Sequence, residues 1–508
     1  MHTKENNSKE KEEESQNQGC LSHFKNIQFL KGLSTVLGAS IVNFLIGEIF
    51  SLMTLVVYEI SYIKKIDNSI SVDHLTFYYP IEIFFQCFFS FVSGYINKKL
   101  GMHATNLIGT ITLILGHYIM YLSSSLFYDL ISIVLAGSGI GIIYYPSTTN
   151  ACQWFRNHNG LIIGILETMI SLGSFYFSYI GEYIINKEKI QSHFDDNLYD
   201  FEIGKKMKIY LKFLIIFSAC VYIISYILMF DIKNTGNDND SMKAENDNDL
   251  IELEDKSDQT ISTDSKNAQH VELIVKSSDK KKEKNNYKKM LLISGKSKRL
   301  IYFCIISILH FPVPAMVFSL YRGIGEYKKI DMNYLQLIGS VNFIFEGFSG
   351  FFFGILCDYV NLKYLLFFIN GIDTLISLTY CLTFKNGFLF FFVTNFTSFS
   401  AGGYYPFKDC YLMKVFGTFI YIELNSYVSF LMTFIISLMS PIVYYIETEL
   451  EVKDNAYWIL FVTLGILNLI GTILGIFIDD SPFDYKKENY KRKKYKEEYL
   501  KEEECIYI

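Results

Sequence analysis

Apolar residues in this chain fall into about twelve blocks, starting near positions 34, 77, 103, 126, 160, 208, 300, 333, 362, 387, 416 and 456. Each block is long enough for a bilayer-crossing helix, which takes roughly 20 mostly apolar residues. Polar positions gather between the blocks, because irregular backbone needs water that hydrocarbon cannot supply. The pattern predicts an all-α membrane protein with twelve transmembrane helices.

Three polar stretches interrupt it. Residues 1–31 form a cytoplasmic tail without a cleavable signal pattern, so the first helix is predicted to direct insertion. Residues 233–298, rich in Asn, Asp, Lys and Ser, carry too little apolar surface to fold and are predicted to be a disordered cytoplasmic linker. Residues 481–508 form a charged cytoplasmic tail. The linker splits the helices six and six, giving an N-terminal bundle at 32–232 and a C-terminal bundle at 299–480.

Composition agrees with the pattern. Of 508 residues, 50% are hydrophobic and the mean hydropathy is +0.22, too apolar for an ordinary soluble protein. The net charge of −6 arises mainly in tails and loops and points to no nucleic-acid partner. Nine Cys are scattered without metal-ligand spacing, which reads as packed small hydrophobes and gives no metal site or cofactor. No P-loop, HExxH or nucleophile triad is present, so the chain is not read as an enzyme.

The two halves repeat. "AGSGIGIIYYPSTTNACQWF" at 136–155 and "SAGGYYPFKDC" at 400–410 place Tyr144-Tyr145-Pro146 and Tyr404-Tyr405-Pro406 at an offset of 260. Gly94 and Gly354, each opening a loop after the second helix of its half, share that offset, whereas a third "FYYP" at 77–80 is out of register. Two features at one offset favour duplicated bundles. Pro146 and Pro406 are then expected to end helices 4 and 10 near the cytoplasm, and Gly137, Gly139 and Gly141 to allow close helix packing. Lys98, Lys99, Arg156, Lys363, Lys408 and Lys414 are assigned to even-numbered loops, which with the even helix count places both termini in the cytoplasm.

With the Gly-started, charged loops "GYINKKLG" and "GILCDYVNLK", the chain resembles the major facilitator superfamily. The resemblance implies gate loops built from Gly94, Lys98, Lys99, Gly101, Gly354 and Asp358, with Asn97 standing where the first loop usually has an acid. "GSGIGIIYYPSTTNACQWFRNHNGLIIGI" at 137–165 and "LGASIVNFLIGEIFS" at 37–51 are similar to the oxalate/formate antiporter and monocarboxylate transporter branch. That branch carries a helix 8 Arg to hold a carboxylate, yet the matching position here is Gly350, and helix 11 has no interior Lys or Arg.

The helices instead carry acids, each costing about 2.5 to 3.5 kcal/mol at a bilayer centre and therefore a candidate for function. Glu82, Gln86 and Ser90 fall on one face of helix 2, Glu167, Ser171, Ser174 and Ser178 on one face of helix 5, and Asn342, Glu346 and Ser349 on one face of helix 8. Gln86 and Glu346 again differ by 260. The substrate or proton pathway is assigned to Glu346, Glu167, Glu48, His310, Asn342, Ser171 and Asn43; carboxyls kept from water bind protons more readily, which suits a proton carrier. His310 precedes Pro312 and Pro314, which should break helix 7. Structural roles stay open for each acid, for His310 and His117, and for Arg322 as an interfacial anchor.

The resemblance implies a monomeric secondary transporter working by alternating access in the lipid bilayer, moving a small-molecule substrate with protons. It favours a monocarboxylate; the missing cations and intramembrane acids favour an amino acid. A non-transporting nutrient sensor of the same fold is the alternative of another class.

Overall fold

The computed structural model describes residues 27–66, 78–188, 190, 199–231, 287–448, 450, 453–485 and 487, and among these there are helices but no strand. The N-terminal bundle holds α1 (Ile27–Leu52, carried past a turn at Gly47 by the helix Glu48–Lys64), α2 (Tyr78–Leu100), α3 (Met102–Leu122), α4 (Leu126–Trp154), α5 (Asn159–Ile185) and α6 (Met207–Leu228). The C-terminal bundle holds α7 (Lys298–His310, resuming as Pro312–Tyr327), α8 (Met332–Tyr359), α9 (Leu362–Thr379), α10 (Gly387–Phe416), α11 (Tyr421–Thr448) and α12 (Asp454–Gly475). With twelve crossings, the N-terminal end of α1 and the C-terminal end of α12 lie at one end of the molecule, here called the terminal end.

Ten of these spans are apolar enough to cross a membrane by hydropathy alone; α2 and α10 complete the set by length. Both carry polar groups within the span. In α10, Thr394, Asn395, Ser400, Lys408 and Asp409 are all buried, so the bundle and not lipid satisfies them.

Glycines set the closest contacts. Gly137 and Gly141 face the carbonyls of Glu82 and Gln86 on α2, and a Cβ on Gly139 would lie 2.7 Å from the Gly109 carbonyl oxygen on α3. Between the bundles, α5 packs on α8 and α2 on α11. There a Cβ on Gly354 would come 2.6 Å from the Gly160 carbonyl oxygen, a separation real side chains do not tolerate.

Several expectations are corrected. Gly94, Lys98 and Lys99 lie inside α2 and Gly354 and Asp358 inside α8, so of the residues assigned to gate loops only Gly101 stands between helices. Pro146 does not end its helix, since α4 continues to Trp154. The carbonyl of Ile142, four residues earlier and robbed of its donor by the proline ring, accepts instead from Ser93 Oγ of α2 at 2.8 Å. Pro406 likewise lies inside α10, which runs to Phe416. Lys408 is consequently not a loop residue: it lies inside α10 and is 5% exposed. The eleventh helix starts at Tyr421, because Gly417, at φ +83°, stops α10 just after Phe416.

The tail 1–31 is described only from residue 27, already helical. Of the stretch 233–298, residues 233–286 lie outside the described residues, and 287–295 are helical rather than disordered. That helix is anchored by aromatics: the Tyr287 ring packs edge-on against Phe419 at 5.5 Å and lies 3.3 Å from Lys98 Nζ.

Candidate functional site

Midway between the bundles lies a cavity of about 90 Å³, walled by α1, α2, α4 and α5 from one half and α7, α8, α10 and α11 from the other. Its walls follow from the sequence stripes. Glu167 and Ser171, one turn apart on α5, and Glu346 on α8 all face it, as does Gln86, the repeat equivalent of Glu346.

Two adjacent tyrosines divide its chemistry. Tyr144 donates its hydroxyl to Glu167, in the same half. Tyr145, its ring 4.5 Å away and turned by 68°, reaches across to Ser429 Oγ of α11 at 3.2 Å. Ser429 in turn accepts from Lys408 Nζ at 2.8 Å. Two charged poles therefore face one cavity: a basic one from Lys408 of the C-terminal half, and an acidic one shared by Glu167 of the N-terminal half and Glu346 of the C-terminal half. Lys408 Nζ lies 3.7 Å from Asp409, whose carboxylate also accepts from Asn425 Nδ2 at 2.7 Å, so this buried ammonium keeps a counter-ion and hydrogen bonds.

The remaining assigned residues lie elsewhere. Asn342, buried on α8 one turn before Glu346, makes no hydrogen bond among the described residues. Glu48 and Asn43 are buried inside the N-terminal bundle, where Asn43 Nδ2 donates to the Ala39 carbonyl at 2.8 Å. His310 is buried inside the C-terminal bundle, although its neighbour Phe311 reaches the cavity. Arg322 pairs with Glu326 at 3.1 Å.

At the terminal end the halves are clasped twice. Asp358, at the end of α8, accepts from the backbone N–H groups of Gly160 and Leu161 at 2.8 and 2.9 Å, capping α5 across the interface. Lys98, near the end of α2, pairs with Glu423 in the first turn of α11 at 2.8 Å, and Gly94 leaves room for that carboxylate. Gly101, at φ +83°, turns the chain from α2 into α3, while Lys99 is exposed.

Sequence reasoning missed Lys408, Ser429 and the roles of the two tyrosines. The available signal was that Lys408 and Asp409 stand inside a block that stays apolar to Phe416, so a proline two residues earlier had not ended the helix.

Residues 3–253 match the model of the Major Facilitator Superfamily. No curated protein matches the chain in sequence. Among solved structures, the proton:xylose symporter XylE bound to a bromo-deoxyglucose is similar with a TM-score of 0.62 at 12% identity, over 90% of this chain and 98% of that one. The E. coli fucose:proton symporter FucP is similar with a TM-score of 0.55 at 12% identity, over 87% and 98% of the two chains. The chain thus has the major facilitator fold, twelve spanning helices in two bundles, with an N-terminal half that matches the superfamily in sequence.

Proposed function

We propose that the chain is a secondary transporter that moves a small carboxylate-bearing solute by alternating access. The observation that carries this reading is the two-pole cavity between the bundles: Lys408 with Ser429 and Tyr145 on one side, Glu167 with Tyr144 and Glu346 on the other. An α-amino acid matches it best, with its carboxylate at Lys408 and its ammonium at Glu167 and Glu346. At about 90 Å³ the cavity is well below the roughly 300 Å³ at which drug-sized sites begin, which favours a solute of few atoms.

A second reading is a monocarboxylate moved with a proton on Glu167 or Glu346. Lys408 supports it by restoring a cation to the pathway, and so does the likeness of residues 137–165 to the monocarboxylate branch. Protons are the proposed coupling ion, because both similar structures are proton symporters and the cavity carries acids. The terminal end is read as cytoplasmic, and the monomer as the working unit.

Proteoliposomes offered labelled alanine, arginine, lactate and formate, with and without an imposed pH gradient, test both readings. Saturable alanine uptake supports the first and lactate uptake the second. Ligand-dependent signalling without flux of any solute would return the chain to the sensor class.

A further inference from the structure

Each bundle buries one imidazole beside one carboxyl, on the same pair of helices. In the N-terminal bundle Glu48 of α1 stands 3.6 Å from His117 of α3, with 0% and 1% of the side chains exposed. In the C-terminal bundle His310 of α7 stands 3.3 Å from Asp373 of α9, both fully buried. By the repeat, α1 corresponds to α7 and α3 to α9, so the two halves carry the same pair with its partners exchanged.

Each pair adjoins a break in the first helix of its bundle. The chain turns at Gly47, next to Glu48, and again at Phe311, next to His310. Pro314 offers no N–H to the His310 carbonyl, which weakens the helix at that point. The opposite faces of both breaks reach the cavity, through Ile46 and Phe50 on α1 and Phe311 on α7.

The pairs are poorly built as structural hydrogen bonds. Neither nitrogen of His117 or His310, neither oxygen of Asp373, and not Glu48 Oε1 has a well-aligned hydrogen-bond partner. A pair with no proton places one negative charge in the core of a bundle; one proton neutralises it. Around Glu48 the nearest ionisable groups are Glu82 of α2 and Tyr210 of α6, with Ser218 Oγ donating to its other oxygen at 3.3 Å. Around His310 and Asp373, α10 presents the Tyr404 ring, 4.1 Å from the imidazole, and Ser400, while α12 has no carboxyl or basic side chain beyond its first residue, Asp454, its one other ionisable group being the Tyr457 phenol.

We infer that each bundle binds one proton on its buried imidazole–carboxyl pair, beside the break of its first helix and behind the cavity wall, out of contact with solute. The inference rests on the transporter reading only for its consequence, that proton binding sets the bend of α1 and α7.

The exchanged order supplies the test. In the full chain, H310Q and D373N are compared with the swap H310D/D373H, which keeps composition and charge and copies the order of the N-terminal pair. Proton uptake by the purified protein after a pH jump is read with an indicator dye, and the pH profile of alanine and lactate uptake in proteoliposomes. The single variants are expected to lose about one bound proton per chain and at least tenfold in pH-gradient-driven uptake, and the swap to recover both. Single variants with the parent's proton count overturn the inference, as does a folded swap that behaves like them. Should the single variants not fold, the swap alone decides in the same way. A parent chain that binds and releases the protons yet carries neither solute sinks the transporter reading and leaves the pairs standing.

Discussion

Lys98 and Asp358 occupy equivalent repeat positions 260 residues apart, yet bear opposite charges and clasp the halves by different chemistry. Lys98 meets the Glu423 carboxylate, whereas Asp358 meets two backbone N–H groups at the start of α5. A cap with helix-dipole character is worth about 1 to 2 kcal/mol, and the exposed Lys98 pair about 1 kcal/mol or less.

Asp358→Ala is therefore expected to open the terminal end more than Lys98→Ala does. A loss of 1 to 2 kcal/mol shifts the closed-to-open ratio about 5- to 30-fold. Cys87 lines the cavity and is buried, so its rate of maleimide labelling reports the opening. Equal labelling in the two variants would contradict this ranking.

Lys408→Met should remove the basic pole. A hydrogen bond to a charged group is worth about 1.5 to 3 kcal/mol, so affinity should fall roughly 10- to 150-fold. Ser429→Ala should cost less, because Lys408 keeps Asp409 as a partner. Binding of alanine and lactate by the purified variants checks the order.

Glu167→Gln and Glu346→Gln separate the two substrate readings. For an amino acid, both should weaken alanine binding at every pH, since the ammonium loses its counter-charge. For a monocarboxylate moved with a proton, solute exchange should survive while accumulation driven by a pH gradient is lost. Unchanged pH-driven flux in Glu346→Gln removes that residue from the proton pathway.

Gly354→Ala should block closure of the terminal end while leaving each bundle folded, because its new methyl group meets the backbone of the opposite half. Uptake should fall at least tenfold with little change in melting temperature. A large drop in melting temperature would instead place the clash within the C-terminal bundle.

Outside the membrane, Asp479 is held below the usual carboxylate range, first by the Ser481 backbone N–H at 3.0 Å and then by Arg299. A depressed carboxyl stabilises the fold above its unfolded pKa and loses that contribution as pH falls through the lower folded value. The segment following α12 should thus stay docked at neutral pH and loosen only below the ordinary Asp range, near pH 4. Limited proteolysis at the C-terminal end across pH 3 to 7 should follow that trend, and Asp479→Asn should be cut at every pH.

Twelve spans, the repeat and the acidic stripes were legible because hydropathy and helical spacing are local properties. Glu167, Ser171 and Glu346 reached the cavity for that reason. Lys408 was hidden by a local rule applied too strictly, that a proline ends a helix, when Ser93 of another helix relieves the cost at Pro146. The His310–Asp373 and Glu48–His117 pairs join residues 63 and 69 positions apart in the chain, and no local pattern signals such a meeting.

Tyr144 and Tyr145 are neighbours in one helix, yet the groups they reach belong to different halves of the molecule. On the proposed alternating-access reading, parting the bundles takes Glu167 away with one half and Lys408 and Glu346 with the other, so the site is complete only while the halves are together. On the same reading, a solute with both charges that spans Lys408 and Glu167 joins the halves like a rivet, and a solute held by Lys408 alone engages a single side. If the proposed reading holds, choosing the cargo and shutting the carrier are the same event.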